Sequence, residues 1–180
     1  MRMQALRWAM RSSLLAGCLV ASAVQAAPDR SAVAEEVFYD FCLEYLNGNE
    51  ALTQNKRLTA LGFSTEAQSR EHPVHGTISV LEQGTDEVGM AVGGAPETIC
   101  ILIITGGDRL SVKDHLQAGL VELELDFKRT DDVVSPSPMI AIDTYKAKLE
   151  EGVLVGVSFM TVDESAPNPS FIATIYFQAE

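Results

Sequence analysis

The sequence predicts an α+β domain, in which two N-terminal helices and one inserted short helix pack against an antiparallel sheet of about six or seven strands. Three observations support this class. Residues Ile99–Ile104 form an unbroken, mostly β-branched apolar run, which is typical of a strand buried on both faces. Apolar residues recur at helical spacing near the front of the chain. Segments in which apolar and polar residues alternate, joined by tight turns, make up the C-terminal part of the chain. This segregation of helices and strands indicates the α+β class.

The first 26 residues have the pattern of a secretory signal peptide. Three arginines precede a short apolar run, Leu14–Val24, and small or β-branched residues stand at the −3 and −1 positions of a cleavage site after Ala26. The run is too short to anchor the chain in a bilayer. We therefore expect residues 1–26 to be removed, leaving one α+β domain over 27–180 that is periplasmic or secreted.

A second interpretation of the leader is a lipid anchor. Residues 15–18, Leu-Ala-Gly-Cys, resemble a lipoprotein box, which would leave a lipidated Cys18 at the N-terminus of an envelope protein. Few residues separate Arg11 from Cys18, however, and the apolar run continues past the cysteine. Simple export is the preferred interpretation.

The charge of the mature chain restricts its partners. Removing residues 1–26 takes away three of the 13 basic residues and none of the 25 acidic ones, so the formal charge becomes −15. Nucleic acid and anionic membrane surfaces would be repelled. A cationic protein or a small molecule is compatible with this charge.

The first helix is expected at Ser31–Asn47, with Ser31 as its N-cap. Its inward stripe contains Cys42, while the opposite stripe is acidic and offers a candidate interaction face for a cationic partner. That stripe consists of Glu36, Asp40 and Glu44. In an exported chain the two mature cysteines, Cys42 and Cys100, are expected to form a disulfide that ties this helix to the central strand.

A second helix is expected from about Glu50 to Leu61, ending at Gly62-Phe63 in a Schellman motif. Residues 64–69 are expected to add a helical turn, and residues 70–76 to form a loop. The strands Thr77–Glu82 and Val88–Val92 should then form a meander with the central strand.

The inserted helix is expected at Asp108–Ala118, with Ser111 as its N-cap. Residues 121–128 alternate strictly between apolar and charged, which favours a strand, although a helical apolar stripe also runs through them. Three final strands are expected at Met139–Leu149, Val153–Val162 and Phe171–Gln178.

A metal-dependent hydrolase is the alternative function, with His72, His75 and His115 as zinc ligands. Their spacing is loose, and the sequence has no His-Glu-x-x-His frame. No serine elbow or calcium loop is present either, and the two Gly-Gly pairs lack the lysine and spacing of a phosphate loop. We therefore expect a non-catalytic binding or interaction module without a cofactor, whose contact surface is one sheet face or the acidic helix face.

Overall fold

The fold is an α+β sheet-and-helix assembly, as predicted, but its sheet has eight strands rather than six or seven. The computed structural model describes residues 29–72, 76–85, 87–95, 97–130, 133–150 and 152–179. The strands are antiparallel throughout and lie in the order β1-β2-β3-β4-β8-β7-β6-β5. They are β1 Gln68–His72, β2 Gly76–Gly84, β3 Gly89–Ala95, β4 Ile99–Thr105, β5 Lys128–Thr130, β6 Ile140–Glu150, β7 Val153–Val162 and β8 Ser170–Ala179.

Three helices accompany the sheet. Helix α1 consists of the consecutive segments Arg30–Glu35, Glu36–Phe41 and Cys42–Leu46, of which the middle one is π-helical. Helix α2 is the short Lys56–Ala60, and helix α3 is Arg109–Gly119, extended by a 3₁₀ turn at Leu120–Leu123. None of the helices in the described ranges is long and apolar enough to cross a bilayer.

Helix α1 begins one residue earlier than predicted because a different side chain caps it. The Asp29 carboxylate accepts a hydrogen bond from the Ser31 backbone N–H, so Asp29 and not Ser31 is the N-cap. The π-helical segment buries Val37, Phe38, Tyr39 and Phe41. The helix therefore turns a broad apolar surface towards the sheet.

Helix α2 is shorter than predicted. It begins at Lys56 and not near Glu50, because the Asn55 side chain accepts hydrogen bonds from the backbone N–H groups of Arg57 and Leu58. The predicted Schellman ending is confirmed: Phe63 N–H donates to the Leu58 carbonyl and Gly62 N–H to the Thr59 carbonyl, both at 3.0 Å.

Strand β1 lies where the sequence predicted the end of a helical turn, over residues 64–69, and the start of a loop, over residues 70–76; residues 73–75 of that loop lie outside the described residues. Its residues, Gln-Ser-Arg-Glu-His, show no apolar alternation. The strand forms because five of its residues pair with β2 at the margin of the sheet, where backbone hydrogen bonds need no buried face.

The predicted strand over residues 121–128 is wrong. Residues 120–123 continue helix α3 as a 3₁₀ turn, and only β5 follows, three residues long. The helical stripe outweighs the alternation here: Leu116 and Leu120 are buried together, whereas Val121 is 84% exposed. Glu124, at φ +55°, ends the helical path.

The main core lies between the helices and one face of the sheet. Cys42 of α1 and Cys100 of β4 are fully buried there, with sulfurs 2.07 Å apart and Cα atoms 5.5 Å apart. This is the disulfide-distance pair that the sequence predicted, and it joins the opening helix to the middle of the sheet.

The opposite face of the sheet carries a second, smaller apolar cluster made of strand residues alone: Ile78, Val80, Ile99 and Ile101. Strand β4 is therefore buried on both faces, as its uninterrupted apolar sequence predicted. Nearby, the Tyr176 ring lies over Gly156 of the adjacent strand, at a spot where a Cβ would come within 2.2 Å of the ring.

Replacing both cysteines, Cys42→Ala and Cys100→Ala, should lower the free energy of unfolding by about 4 kcal/mol, because a crosslink across 58 residues restricts the unfolded chain. Urea unfolding of the oxidised proteins measures this loss. A reducing agent should destabilise the wild type and leave the double variant unchanged. Equal sensitivity of the two proteins to the reducing agent would contradict the crosslink.

Candidate functional site

One edge of the sheet gathers the loops that form the candidate site. Strand β4 ends there at Thr105 and β8 begins beside it at Ser170, because these two residues are register partners. The segment before β6 reaches the same edge: the Asp163 backbone N–H donates to the Met139 carbonyl at 2.8 Å. We call this region, comprising residues 85, 87–88, 106–110, 133–139 and 163–169, the loop edge.

A cleft of about 460 Å³ opens in the loop edge. The end of β4 and the first residue of α3 form one side of it, and the loop between β7 and β8 forms the other. We call it the Arg109 cleft, after the one basic residue among those that line it. Its lining includes Thr105, Gly106, Arg109, Glu164, Pro167 and Asn168.

Arg109 is buried although it is charged, with only 4% of its surface exposed. Its Nη1 donates to the Gly106 carbonyl at 3.3 Å, and its Nη2 lies 3.3 Å from Glu164 Oε1. Its Nε–H is buried and has no hydrogen-bond partner in the part of the chain that the structure describes. A buried donor without a hydrogen bond lowers the free energy of unfolding by about 1–3 kcal/mol, and by more when the group is charged. The unpaired Nε–H of Arg109 therefore destabilises the folded state.

The start of helix α3 borders the cleft and has no side-chain cap. Asp108 is its N-cap residue, yet the carboxylate makes no capping hydrogen bond. It pairs instead with the Arg30 guanidinium, which also donates to the carbonyls of Gly89 and Thr105 at 2.8 and 2.9 Å. Arg30 thus fastens helix α1 to the ends of β3 and β4 and fixes the backbone that carries Arg109.

The pKa of Asp163, which lies next to the cleft, is set mainly by hydrogen bonds within its own loop. Hydrogen bonds from the Ser165 hydroxyl and backbone N–H, at 2.6 and 2.8 Å, hold the pKa of Asp163 below its usual value, and the charge of Arg109 lowers it further. Asp163 is therefore ionised at neutral pH and orders the loop that supplies Glu164.

Exposed apolar side chains concentrate at the loop edge. Among the described residues, six large apolar side chains are exposed, and all but Val121 belong to the loop edge. The five are Val88, Leu110, Val133, Val134 and Met139. Clusters of exposed apolar residues beside a cleft are typical of ligand or partner contacts.

The predicted acidic interaction face is largely engaged within the chain. Arg57 of α2 donates to Glu36 and Asp40, each at 2.8 Å, and Asn49 donates to Glu44 at 2.8 Å. These carboxylates hold the segment after α1 against the helix. The carboxylates of this stripe thus make structural contacts in the fold, and their side chains remain partly exposed.

His72 and His115, two of the three predicted zinc ligands, lie on different elements of the fold. His115 lies on α3, where its Nε2 is 2.6 Å from Glu35 Oε2. His72 ends β1, and neither its side chain nor His75 is among the parts of the chain described here, nor is Cys18. Within the described residues, no group of three His, Cys, Asp or Glu side chains is arranged to hold a metal ion.

Sequence reasoning did not identify Arg109. In the sequence it stands at the start of an inserted helix, where a basic residue has no special significance. The available signal was its place directly after Gly106-Gly107-Asp108 and a fully apolar strand, since loops that follow buried strands carry function disproportionately.

Arg109→Met should leave the free energy of unfolding unchanged or raise it by about 1 kcal/mol, because an incompletely paired buried charge is replaced by an apolar chain of similar volume. Glu164 has a side chain that is 77% exposed, so no buried carboxylate is left behind. Thermal and urea unfolding test this. A loss above about 3 kcal/mol would mean that Arg109 serves stability.

Ser165→Ala should raise the pKa of Asp163 towards its ordinary value, because the hydroxyl hydrogen bond is the largest cause of the lowering. The lowered pKa adds stability above the pKa of the unfolded chain, and this is lost as the pH falls through the folded-state value. The variant should therefore lose less stability on acidification. Carboxyl ¹³C NMR titration measures the pKa; an unchanged value would contradict the assignment.

No protein-family model matches the chain, and no curated protein or solved structure matches it significantly.

Proposed function

We propose that this chain is an exported, non-catalytic binding module that holds its ligand at the loop edge. The observation that carries the proposal is the clustering of exposed apolar side chains at the loop edge, which also holds a cleft whose buried arginine has a donor without a partner among the described residues. Apolar lining with a small number of placed polar groups is the usual composition of a ligand site.

Export is part of the proposal. The N-terminal pattern of arginines, apolar run and small residues before Ala27 supports cleavage by a signal peptidase. A buried cysteine pair at disulfide distance is compatible with an extracytoplasmic location, where such bonds persist. We favour release as a periplasmic or secreted protein over retention through a lipidated Cys18.

Binding is favoured over catalysis by the groups that line the Arg109 cleft. Its single hydroxyl is that of Thr105, which accepts a hydrogen bond from the Gly89 backbone N–H at 2.9 Å. The same hydroxyl donates to the Gly89 carbonyl at 3.4 Å, so its recorded partners are backbone groups, whereas activation as a nucleophile needs an adjacent base. The remaining polar groups are an arginine, an asparagine and two glutamates, which suit orientation of a ligand.

The rim of the site constrains what is bound. Glu87 and Glu164 line the cleft, and Asp163 directly precedes Glu164 on the same loop. With a formal charge of −15 on the mature chain, contact with a large polyanion would be repelled. A mainly apolar ligand or peptide segment is the partner that this rim accepts.

Leu110→Asp should abolish capture of the partner, whereas Val121→Asp, at an exposed apolar residue away from the loop edge, should not. The immobilised mature chain is exposed to envelope extract, and the bound material is compared by mass spectrometry. Surface substitutions of this kind change stability by about 0.5 kcal/mol or less, so both variants should fold. If every species that binds the wild type also binds both variants equally, binding at the loop edge is refuted.

A further inference from the structure

We propose that the Arg109 cleft binds the carboxylate of a small monocarboxylic ligand with a short apolar tail, and that Glu164 occupies half of that carboxylate's place in the free protein. This inference rests on the proposed function and names the ligand class of the same site.

The guanidinium geometry carries the argument. The Nε–H and one Nη2–H of an arginine point in the same direction along one side of its plane, where a carboxylate accepts both hydrogen bonds at once. In Arg109, Nη2 forms an ion pair with Glu164 Oε1 at 3.3 Å, and the neighbouring Nε–H has no hydrogen-bond partner among the described residues. One oxyanion that fitted this side would satisfy both donors.

Glu164 is a weak occupant of this position. Its side chain is 77% exposed, and its contact of 3.3 Å is longer than a strong charge-assisted hydrogen bond. Exposed ion pairs contribute little, so a ligand carboxylate can displace it at small cost. Arg109, by contrast, is buried, and a charge-assisted bond to a dehydrated guanidinium is stronger than one in water.

The surroundings select a monoanion with an apolar tail. Glu87 and Glu164 would repel a multiply charged phosphate, whereas a single carboxylate is compensated by the single guanidinium. Pro167 and Pro169 line the cleft, and the exposed Val88 and Leu110 flank it. These side chains offer apolar contact to a chain of several carbons.

The experiment uses the mature chain and three probes: hexanoate, its neutral counterpart hexanamide, and inorganic phosphate. The Arg109 Nε–H signal in ¹H–¹⁵N NMR spectra, assigned by its loss in Arg109→Met, reports on the donor itself. Hexanoate should shift this signal with a dissociation constant on the order of 1 mM, which suits a ligand of this size. Hexanamide should bind at least about tenfold more weakly, since a hydrogen bond to a charged group is lost.

Two variants separate the roles of the side chains. Glu164→Ala should tighten hexanoate binding roughly fivefold, because the competing carboxylate is removed. Arg109→Lys keeps the charge but loses the pair of parallel donors, and it should weaken binding at least about tenfold, as should Arg109→Met. If Arg109→Met does not fold, the lysine variant carries the comparison, and the Nε–H signal is then assigned by its loss in that variant.

Equal binding of hexanoate and hexanamide would overturn the carboxylate assignment while leaving an apolar site at the loop edge intact. A stronger response of the Arg109 signal to phosphate than to hexanoate would overturn it in favour of a polyvalent anion. No response to any probe, in the wild type and in Glu164→Ala alike, would also overturn it. The partner-capture comparison of Leu110→Asp with Val121→Asp stands independently of these outcomes.

Discussion

The pairing of β4 with β8 is the contact on which the rest of the molecule depends. Strands β1–β4 form one meander and β5–β8 another, and the two are joined only through the seven register pairs from Ile99↔Tyr176 to Thr105↔Ser170 within the described sheet. Because Thr105 and Ser170 are opposite each other, the segment that enters α3 and the loop that precedes β8 become neighbours. The Arg109 cleft exists only at this junction.

The covalent tie between α1 and β4 reinforces the same junction from the helical side. Cys42 and Cys100 meet in the main core, and Arg30 of the same helix reaches the end of β4 through the Thr105 carbonyl. Two contacts at different positions along α1 fix its direction over the sheet. The strand whose end supplies one side of the cleft is thereby held both near its start and at its end.

Where one physical signal dominated, the sequence was sufficient to predict the fold. The ends of β7, the burial of β4 on both faces and the proximity of Cys42 to Cys100 follow from apolar runs, turn glycines and two cysteines. Predictions were wrong where two signals competed or none existed. Residues 121–128 fit both helix and strand periods, and β1 has no periodicity, so only tertiary pairing determines their structure.

The candidate site was less accessible to sequence reasoning than the fold. Three features of the folded chain define the site: Arg109 is buried, its Nε–H is unpaired among the described residues, and Glu164, more than fifty residues away in the sequence, lies beside it. The acidic residues at helical spacing predicted an interaction face, yet Arg57 and Asn49 form ion pairs and a hydrogen bond with them. A charge pattern on one helix cannot reveal which distant side chain will pair with it.

The two outermost strands have a consequence of their own. Strand β1 is polar throughout and carries the Arg70–Glu82 pair, while β5 is three residues long and begins with two basic residues. Unpaired margins of a sheet attract further strands, and short or charged margins discourage them. The broad sheet thus ends on both sides in segments that discourage the addition of a strand from a second molecule.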